Sequence, residues 1–129
     1  MDATDLKGKT GLRRIINAFG YSMKGFQTAW AHEAEFRQEV MLCAVLIPFA
    51  LWLNVSVIER IALIGVLAIV IIVELINSAI EAAVDRIGPE SHYLSGAAKD
   101  LGSAAVLVAI TLTAFVWGSV LWDVLARTM

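Results

Sequence analysis

Cysteine, proline and charge are what this chain has least of. Its one cysteine, Cys43, lies inside an apolar run, so no intramolecular disulfide can form and the thiol reads as buried, with the redox compartment left open. Two prolines, Pro48 and Pro89, with no internal repeat and no low-complexity tract, exclude a proline-rich linker and leave no seam for a second domain. His32 and His92 have no metal-type partner at ligand spacing, which removes zinc from the reading. Gly8-Lys9-Thr10 imitates the end of a phosphate-binding loop, but Ala3 stands where that motif needs its first glycine and no strand precedes it. Asn54-Val55-Ser56 fits a glycosylation acceptor, a pattern too frequent by chance to carry weight. Charged side chains make up 17% of the chain, below the roughly 25% usual in soluble domains. No nucleic-acid partner is expected.

Apolar residues fill the space that charge leaves. They make up 59% of the 129 residues, with a mean hydropathy of +0.75, against the roughly 45–50% of an ordinary soluble domain. A transmembrane helix needs about 20 predominantly apolar residues. Three segments approach that length, at about 36–55, 58–86 and 99–122, and the first contains Pro48, which predicts a kink or a tilt. The first strong apolar run starts near residue 40, too late for a secretory signal peptide. The fold class expected is therefore an all-α membrane protein forming a single membrane domain.

Net charge is −2, but its distribution says more. Lys7, Lys9, Arg13, Arg14, Lys24 and Arg37 precede the first span, and Arg86 and Lys99 lie between the second and third, whereas Arg60 and Arg127 lie on the other side. Cationic loops stay in the cytoplasm, which predicts a cytoplasmic N-terminus and a C-terminus across the membrane.

Residues 1–9 are polar and are expected to fray. After them Leu12, Ile15, Ile16, Phe19, Met23, Phe26 and Trp30 recur at spacings of three and four, with Arg13, Arg14, Asn17, Lys24 and Gln27 between them. This is the pattern of an amphipathic helix, at about 10–32, lying in the membrane interface with its cations near anionic headgroups. Gly20 and Gly25 could interrupt it. Asn54 to Arg60 reads as a turn on the far side, and Gly88-Pro89 ends the second span ahead of a cytoplasmic loop at 89–98.

The chemistry concentrates where the second span ends. Glu74-Leu75-Ile76-Asn77-Ser78-Ala79-Ile80-Glu81-Ala82-Ala83-Val84-Asp85 follows directly on the apolar run 61–73. At about 100° per residue, Glu74, Asn77, Ser78, Glu81 and Asp85 fall on one side of a helix. An ionisable group in an apolar span is costly, and by default marks a functional site. Glu33, Glu35 and Glu39 precede the first span, and Asp100 opens the third. Mg²⁺ takes one or two carboxylates together with phosphate oxygens and water, and folding could bring Glu33 and Glu81 to one such ion. Glu74 lies deepest and suits a general base acting on a substrate held at the lipid boundary. Lys99, beside Asp100 and ahead of Gly102 and Ser103, offers an ammonium for a transferring phosphoryl group. Taken singly, Glu35, Glu39 or Asp85 is equally well read as a helix-end charge at the water boundary.

Glu74-Leu75-Ile76-Asn77-Ser78-Ala79-Ile80-Glu81, then Val84-Asp85-Arg86, then Ala98-Lys99-Asp100-Leu101-Gly102-Ser103-Ala104-Ala105-Val106 resemble the prokaryotic integral-membrane diacylglycerol kinase family. Ala29-Trp30 and the stretch from Glu33 to Glu39 agree as well, so the resemblance covers roughly residues 10–122. It implies a homotrimer of three-span protomers in the bacterial inner membrane, each with an amphipathic surface helix, using MgATP to phosphorylate the primary hydroxyl of diacylglycerol to phosphatidic acid. By the same resemblance Glu74 is the catalytic base with Asn77 in support, and Glu33 and Glu81 hold the metal and nucleotide phosphates. Arg14, Tyr21, Glu90, His92, Lys99 and Asp100 line the nucleotide site, and Ser103, Ser22, Trp30, Glu35 and Arg37 lie near the lipid. The loop Ser95-Gly96-Ala97-Ala98-Lys99 lacks the arginine that some relatives carry beside the lysine, so phosphate charge rests more on Lys99, Arg14 and the metal.

Two other readings stay open. Relatives in the same superfamily phosphorylate undecaprenol with the same nucleotide machinery. A small oligomeric ion or proton conductor would also place a carboxylate in a span, but it should carry polar groups through the whole bilayer depth. Here 101–122 offers only hydroxyls and 61–73 nothing ionisable. A pure scaffold has as little to support it.

Overall fold

In the computed structural model, residues 11–88 and 92–129 are described, and among them the chain forms four α-helices and no strand. Residues 1–10, with the Gly8-Lys9-Thr10 triplet, and residues 89–91, with Pro89 and Glu90, lie outside the described residues. The helices are α1 (Gly11–His32), α2 (Ala34–Trp52), α3 (Val57–Ile87) and α4 (Tyr93–Thr128). The chain divides into two units, the first ending at Ala34 and the second beginning at Glu35.

The first unit carries α1. Gly11 begins it at φ 66°, a left-handed conformation open to glycine at no steric cost. The helix then runs unbroken through Gly20 and Gly25. Leu12, Ile15, Ile16, Phe19, Phe26 and Trp30 are all exposed, so the apolar stripe that the spacing predicts exists as a surface. Glu33 interrupts the helical run between α1 and α2, its N–H still donating to the Ala29 carbonyl at 2.9 Å.

In the second unit, α2 continues through Pro48, although proline removes one backbone donor. Two groups finish its C-terminal end. Leu53 N donates to Phe49 O at 3.0 Å, and the Arg60 guanidinium donates through Nη2 to Leu53 O at 2.7 Å and through Nε to Ala50 O at 3.2 Å. A cation on the orphan carbonyls satisfies them and opposes the negative end of the helix. Ser56 then starts α3 with a reciprocal capping box. Its Oγ accepts from Glu59 N at 3.1 Å, while its own N–H donates to Glu59 Oε1 at 2.9 Å. The serine of the glycosylation-like triplet is thus a helix cap.

The core ties α2, α3 and α4 together through Ala50, Leu53, Leu63, Val66, Leu67, Trp117 and Val120, with Cys43, Leu46 and Ile47 packed against them. Trp117 is its largest member. Its Nε1 donates to the Leu63 carbonyl at 3.1 Å, and its ring stacks on Phe49 with centroids 6.2 Å apart. Thr113 Oγ1 reaches the Val66 carbonyl at 3.4 Å one turn away.

Two helices, α3 and α4, are long and apolar enough to cross a membrane. Although a span was expected at 36–55, α2 falls short because Glu35, Arg37 and Glu39 occupy its first turns. The loop expected to reach residue 98 is also shorter, since α4 begins at Tyr93. His92 is the reason: its Nδ1 accepts from Leu94 N at 3.0 Å and caps the helix six residues before the predicted start near 99.

Trp117→Phe keeps an aromatic six-membered ring and removes the pyrrole portion with its hydrogen bond to Leu63. It should lower unfolding stability in detergent micelles by about 1 kcal/mol without loss of helix, and an unchanged unfolding midpoint would show that this bond contributes nothing.

Candidate active site

The buried stripe of α3 runs Leu63, Val66, Leu67, Val70 and then, with no change of face, Glu74 and Asn77. These recur at helical spacing, so the surface that packs the apolar core also carries the carboxyl and the amide inward. Glu74 is 4% exposed and Asn77 8%, and no other polar or charged residue among those described is buried. Burying such groups is costly unless they are paired. Asn77 Nδ2 donates to Glu81 Oε1 at 3.3 Å, one turn toward the polar end. Asn77 Oδ1, Ser78 Oγ and Glu39 Oε2 are buried with no hydrogen-bond partner among the described residues.

Glu39 is a residue that sequence reasoning did not place in the site. Its carboxyl interacts electrostatically with that of Glu74 across the α2–α3 packing. Two carboxylates so placed repel each other. The signal was present in the chain. Phe36, Glu39, Cys43, Leu46, Ile47 and Ala50 recur at spacings of three and four, so Glu39 interrupts the inward stripe of α2 as Glu74 interrupts that of α3.

Lys99 on α4 meets the end of α3 through an ion pair, Nζ to Asp85 Oδ1 at 2.8 Å. Both side chains are exposed, so the pair can open to a ligand at little cost. Asp100 and Ser103 are exposed nearby in sequence on α4, and His92 caps that helix. Glu35 is exposed and Arg37 half-buried on α2. On α1, Arg14, Ser22 and Trp30 are exposed and Tyr21 is half-buried with the Lys24 ammonium 5.8 Å from its ring centre. Ser22 Oγ donates to the Ala18 carbonyl at 3.0 Å. Glu90 lies outside the described residues. The structure therefore groups Glu39, Glu74, Asn77, Ser78 and Glu81, and couples Asp85 to Lys99. Arg14, Tyr21, Ser22, Trp30 and Glu33 belong to the other unit.

Among the described residues no cluster of three or more His, Cys, Asp or Glu forms a ready-made metal cage. Mg²⁺ does not require one, because it retains waters and substrate phosphate oxygens beside one or two carboxylates. Glu81 fits that role: a hard oxygen donor, only partly buried, and oriented by the Asn77 amide.

The family model of prokaryotic diacylglycerol kinase matches residues 20–121 of this chain. A diacylglycerol kinase of Escherichia coli (strain K12) is 54% identical over 114 residues, 88% of this chain and 93% of that protein. One from Pseudomonas aeruginosa is 53% identical over 121 residues, 94% of this chain and 98% of its own. A third, from Haemophilus influenzae, is 45% identical over 113 residues, covering 88% and 96% of the two chains.

Contact between the Glu39 and Glu74 carboxyls should appear as energetic coupling. Glu39→Gln and Glu74→Gln, combined in a double-mutant cycle of unfolding stability in micelles, should deviate from additivity by about 0.5–3 kcal/mol. Strict additivity would mean that the two groups do not touch.

Proposed function

The chain belongs to the prokaryotic diacylglycerol kinase family, a family of lipid kinases, and on that premise we propose that it transfers the γ-phosphoryl group of ATP to the primary hydroxyl of diacylglycerol. The products are phosphatidic acid and ADP. The observation that carries the reading is the single inward stripe in which apolar α3 gives way to Glu74, Asn77 and then Glu81.

Depth supports it. Glu74 stands about 26 Å along α3 from Val57, and a hydrocarbon core is about 30 Å thick. If Val57 marks the far boundary, Glu74 lies just inside the near one and Glu81 beyond it. The acyl chains of a glycerolipid stay in lipid and ATP stays in water, so the hydroxyl and the γ-phosphate meet only at that boundary. Glu74 takes the hydroxyl proton as the alkoxide oxygen bonds to the γ-phosphorus and the bond from that phosphorus to the β–γ bridging oxygen breaks. Lys99 swings from Asp85 to the phosphate oxygens and offsets their charge. Glu81 would hold Mg²⁺, which when bound would neutralise the nucleotide phosphates, and Glu33 is the further metal ligand that the family resemblance implies. Arg14, Tyr21, Glu90, His92 and Asp100 contribute to the nucleotide site, and Ser22, Trp30, Glu35, Arg37 and Ser103 to the lipid side.

The assembly we propose is a homotrimer in the bacterial inner membrane. Each protomer contributes α2, α3 and α4 as spans and α1 as an interfacial helix, with the N-terminus cytoplasmic and the C-terminus opposite. In α2 the apolar part, residues 40–52, is about 20 Å long, short enough to need a thinned or well-covered bilayer. The exposed apolar stripe of α1 is what an interfacial helix presents to acyl chains.

The test is transfer of labelled γ-phosphate from MgATP to diacylglycerol or to undecaprenol in mixed micelles. Diacylglycerol should be labelled, and Glu74→Gln should cut kcat roughly 100- to 10,000-fold. Labelling of undecaprenol instead would keep the mechanism and replace the acceptor, and labelling of neither by folded protein would overturn the kinase reading. In the same assay Lys99→Met should raise KM for MgATP and leave KM for the lipid unchanged.

A further inference from the structure

We propose that Gly102 is a positioning residue for the metal and nucleotide site, holding Asn77 in the one orientation that directs its amide at Glu81. The proposal rests on the reading of Glu81 as a phosphate and metal ligand and extends it to a residue on a different helix.

The observation is a matter of space. Gly102 is buried in α4 where that helix packs on α3. A Cβ built on it would overlap Asn77 Oδ1 and stand 3.2 Å from Asn77 Cγ and 3.8 Å from its Cβ. The other described helical glycines, Gly11, Gly20, Gly25, Gly65, Gly96 and Gly118, have nothing within 4 Å of such a Cβ. Gly102 is thus the described helical position where the missing side chain is occupied by a neighbour, and that neighbour is the amide between Glu74 and Glu81.

The polarity of the contact fixes the amide. Nδ2 must face Glu81, because a carboxylate only accepts, and it does so at 3.3 Å. Oδ1 then points at the Gly102 backbone, buried and without a conventional donor among the described residues. A glycine Cα–H supplies the weak donor that suits such an oxygen. The obstructed atoms are the tip of a side chain that can rotate, not backbone. A methyl group at 102 therefore evicts the amide and leaves the helix pair able to form. Glu81 loses the group that orients its carboxylate, and losses of that kind typically weaken metal binding about 10- to 100-fold.

The experiment compares Gly102→Ala, Asn77→Ala, the double variant and Glu81→Gln, measuring KM for MgATP, KM for diacylglycerol, the Mg²⁺ concentration giving half-maximal rate and, without turnover, the dissociation constant of Mn²⁺ in the presence of a non-hydrolysable ATP analogue. That constant should rise with the Mg²⁺ requirement in Gly102→Ala, and stay at the wild-type value if the glycine serves packing alone. Gly102→Ala should raise KM for MgATP and the Mg²⁺ requirement about tenfold or more, with KM for diacylglycerol unchanged. In the double variant, where the amide is gone and the space is free, the alanine at 102 should add nothing to Asn77→Ala. Both KM values rising together, or a full additional loss in the double variant, would overturn the proposal in favour of general packing. If Gly102→Ala alone does not fold, the comparison of the double variant with Asn77→Ala decides in the same way. Wild-type Mg²⁺ dependence in Glu81→Gln would instead sink the underlying role of Glu81 and the proposal with it, whereas a Glu81→Gln defect without one in Gly102→Ala would remove the proposal alone.

Discussion

A carboxyl and an amide buried in an otherwise apolar helix pair are the constraint on which the rest of this molecule turns. Glu74 and Asn77 occupy the packing face of α3, which is otherwise filled by Leu63, Val66, Leu67 and Val70. Burial of Asn77 is destabilising by itself, since its Oδ1, like the neighbouring Ser78 Oγ, has no conventional partner among the described residues. The opposite end of the bundle offsets that cost. There the Trp117 indole bonds to the Leu63 carbonyl, Arg60 closes the end of α2, and Ser56 and Glu59 cap α3 in both directions. One end is built for cohesion and the other carries groups that cohesion alone would not select.

This gradient gives the enzymatic reading its physical sense. A lipid kinase must join a water-soluble phosphate donor to an alcohol that does not leave the bilayer. A site at mid-depth would exclude the nucleotide, and a site on a soluble face would strand the acyl chains. The α3 stripe passes from Val70 through Glu74 to Glu81 within three turns, from apolar packing to a half-exposed carboxylate. Lys99, held loosely by exposed Asp85, lies where α4 can bring an ammonium to the same end. Helix length alone spaces these groups along the axis of α3.

Helical periodicity made much of this legible in the chain. The helix read at 10–32 is found at Gly11–His32, and the long helix read at 58–86 at Val57–Ile87, because a strong apolar pattern and clear stops fix such elements. The start of α4 was less legible. Gly88-Pro89 signals a break, but the polar residues after Tyr93 do not show that His92 will cap a helix there. Ser56 was hidden for a similar reason, since one serine can belong to an acceptor triplet or to a capping box until Glu59 is seen to answer it. Glu74, Asn77 and Glu81 could be grouped from the chain because they share one helix, where spacing is a reliable guide to direction.

Glu39 and Gly102 escaped because their meaning lies between helices. Spacing along α2 places Glu39 on the inward stripe, but only the register of α2 against α3 sets its carboxyl against Glu74 rather than beside a hydroxyl or a methyl group. Gly102 is harder still, since a glycine leaves no side chain to carry a pattern and sits in a run of small residues, Gly102-Ser103-Ala104-Ala105, that any close helix packing would favour. What distinguishes it is the identity of its neighbour. An apolar side chain against Gly102 would make it a packing residue. An oriented amide whose other end reaches a carboxylate makes the same absence of atoms part of the site. Register between helices is decided by the whole core, including Trp117 and Leu63 at the far end, so the polar geometry depends on apolar contacts several turns away from it.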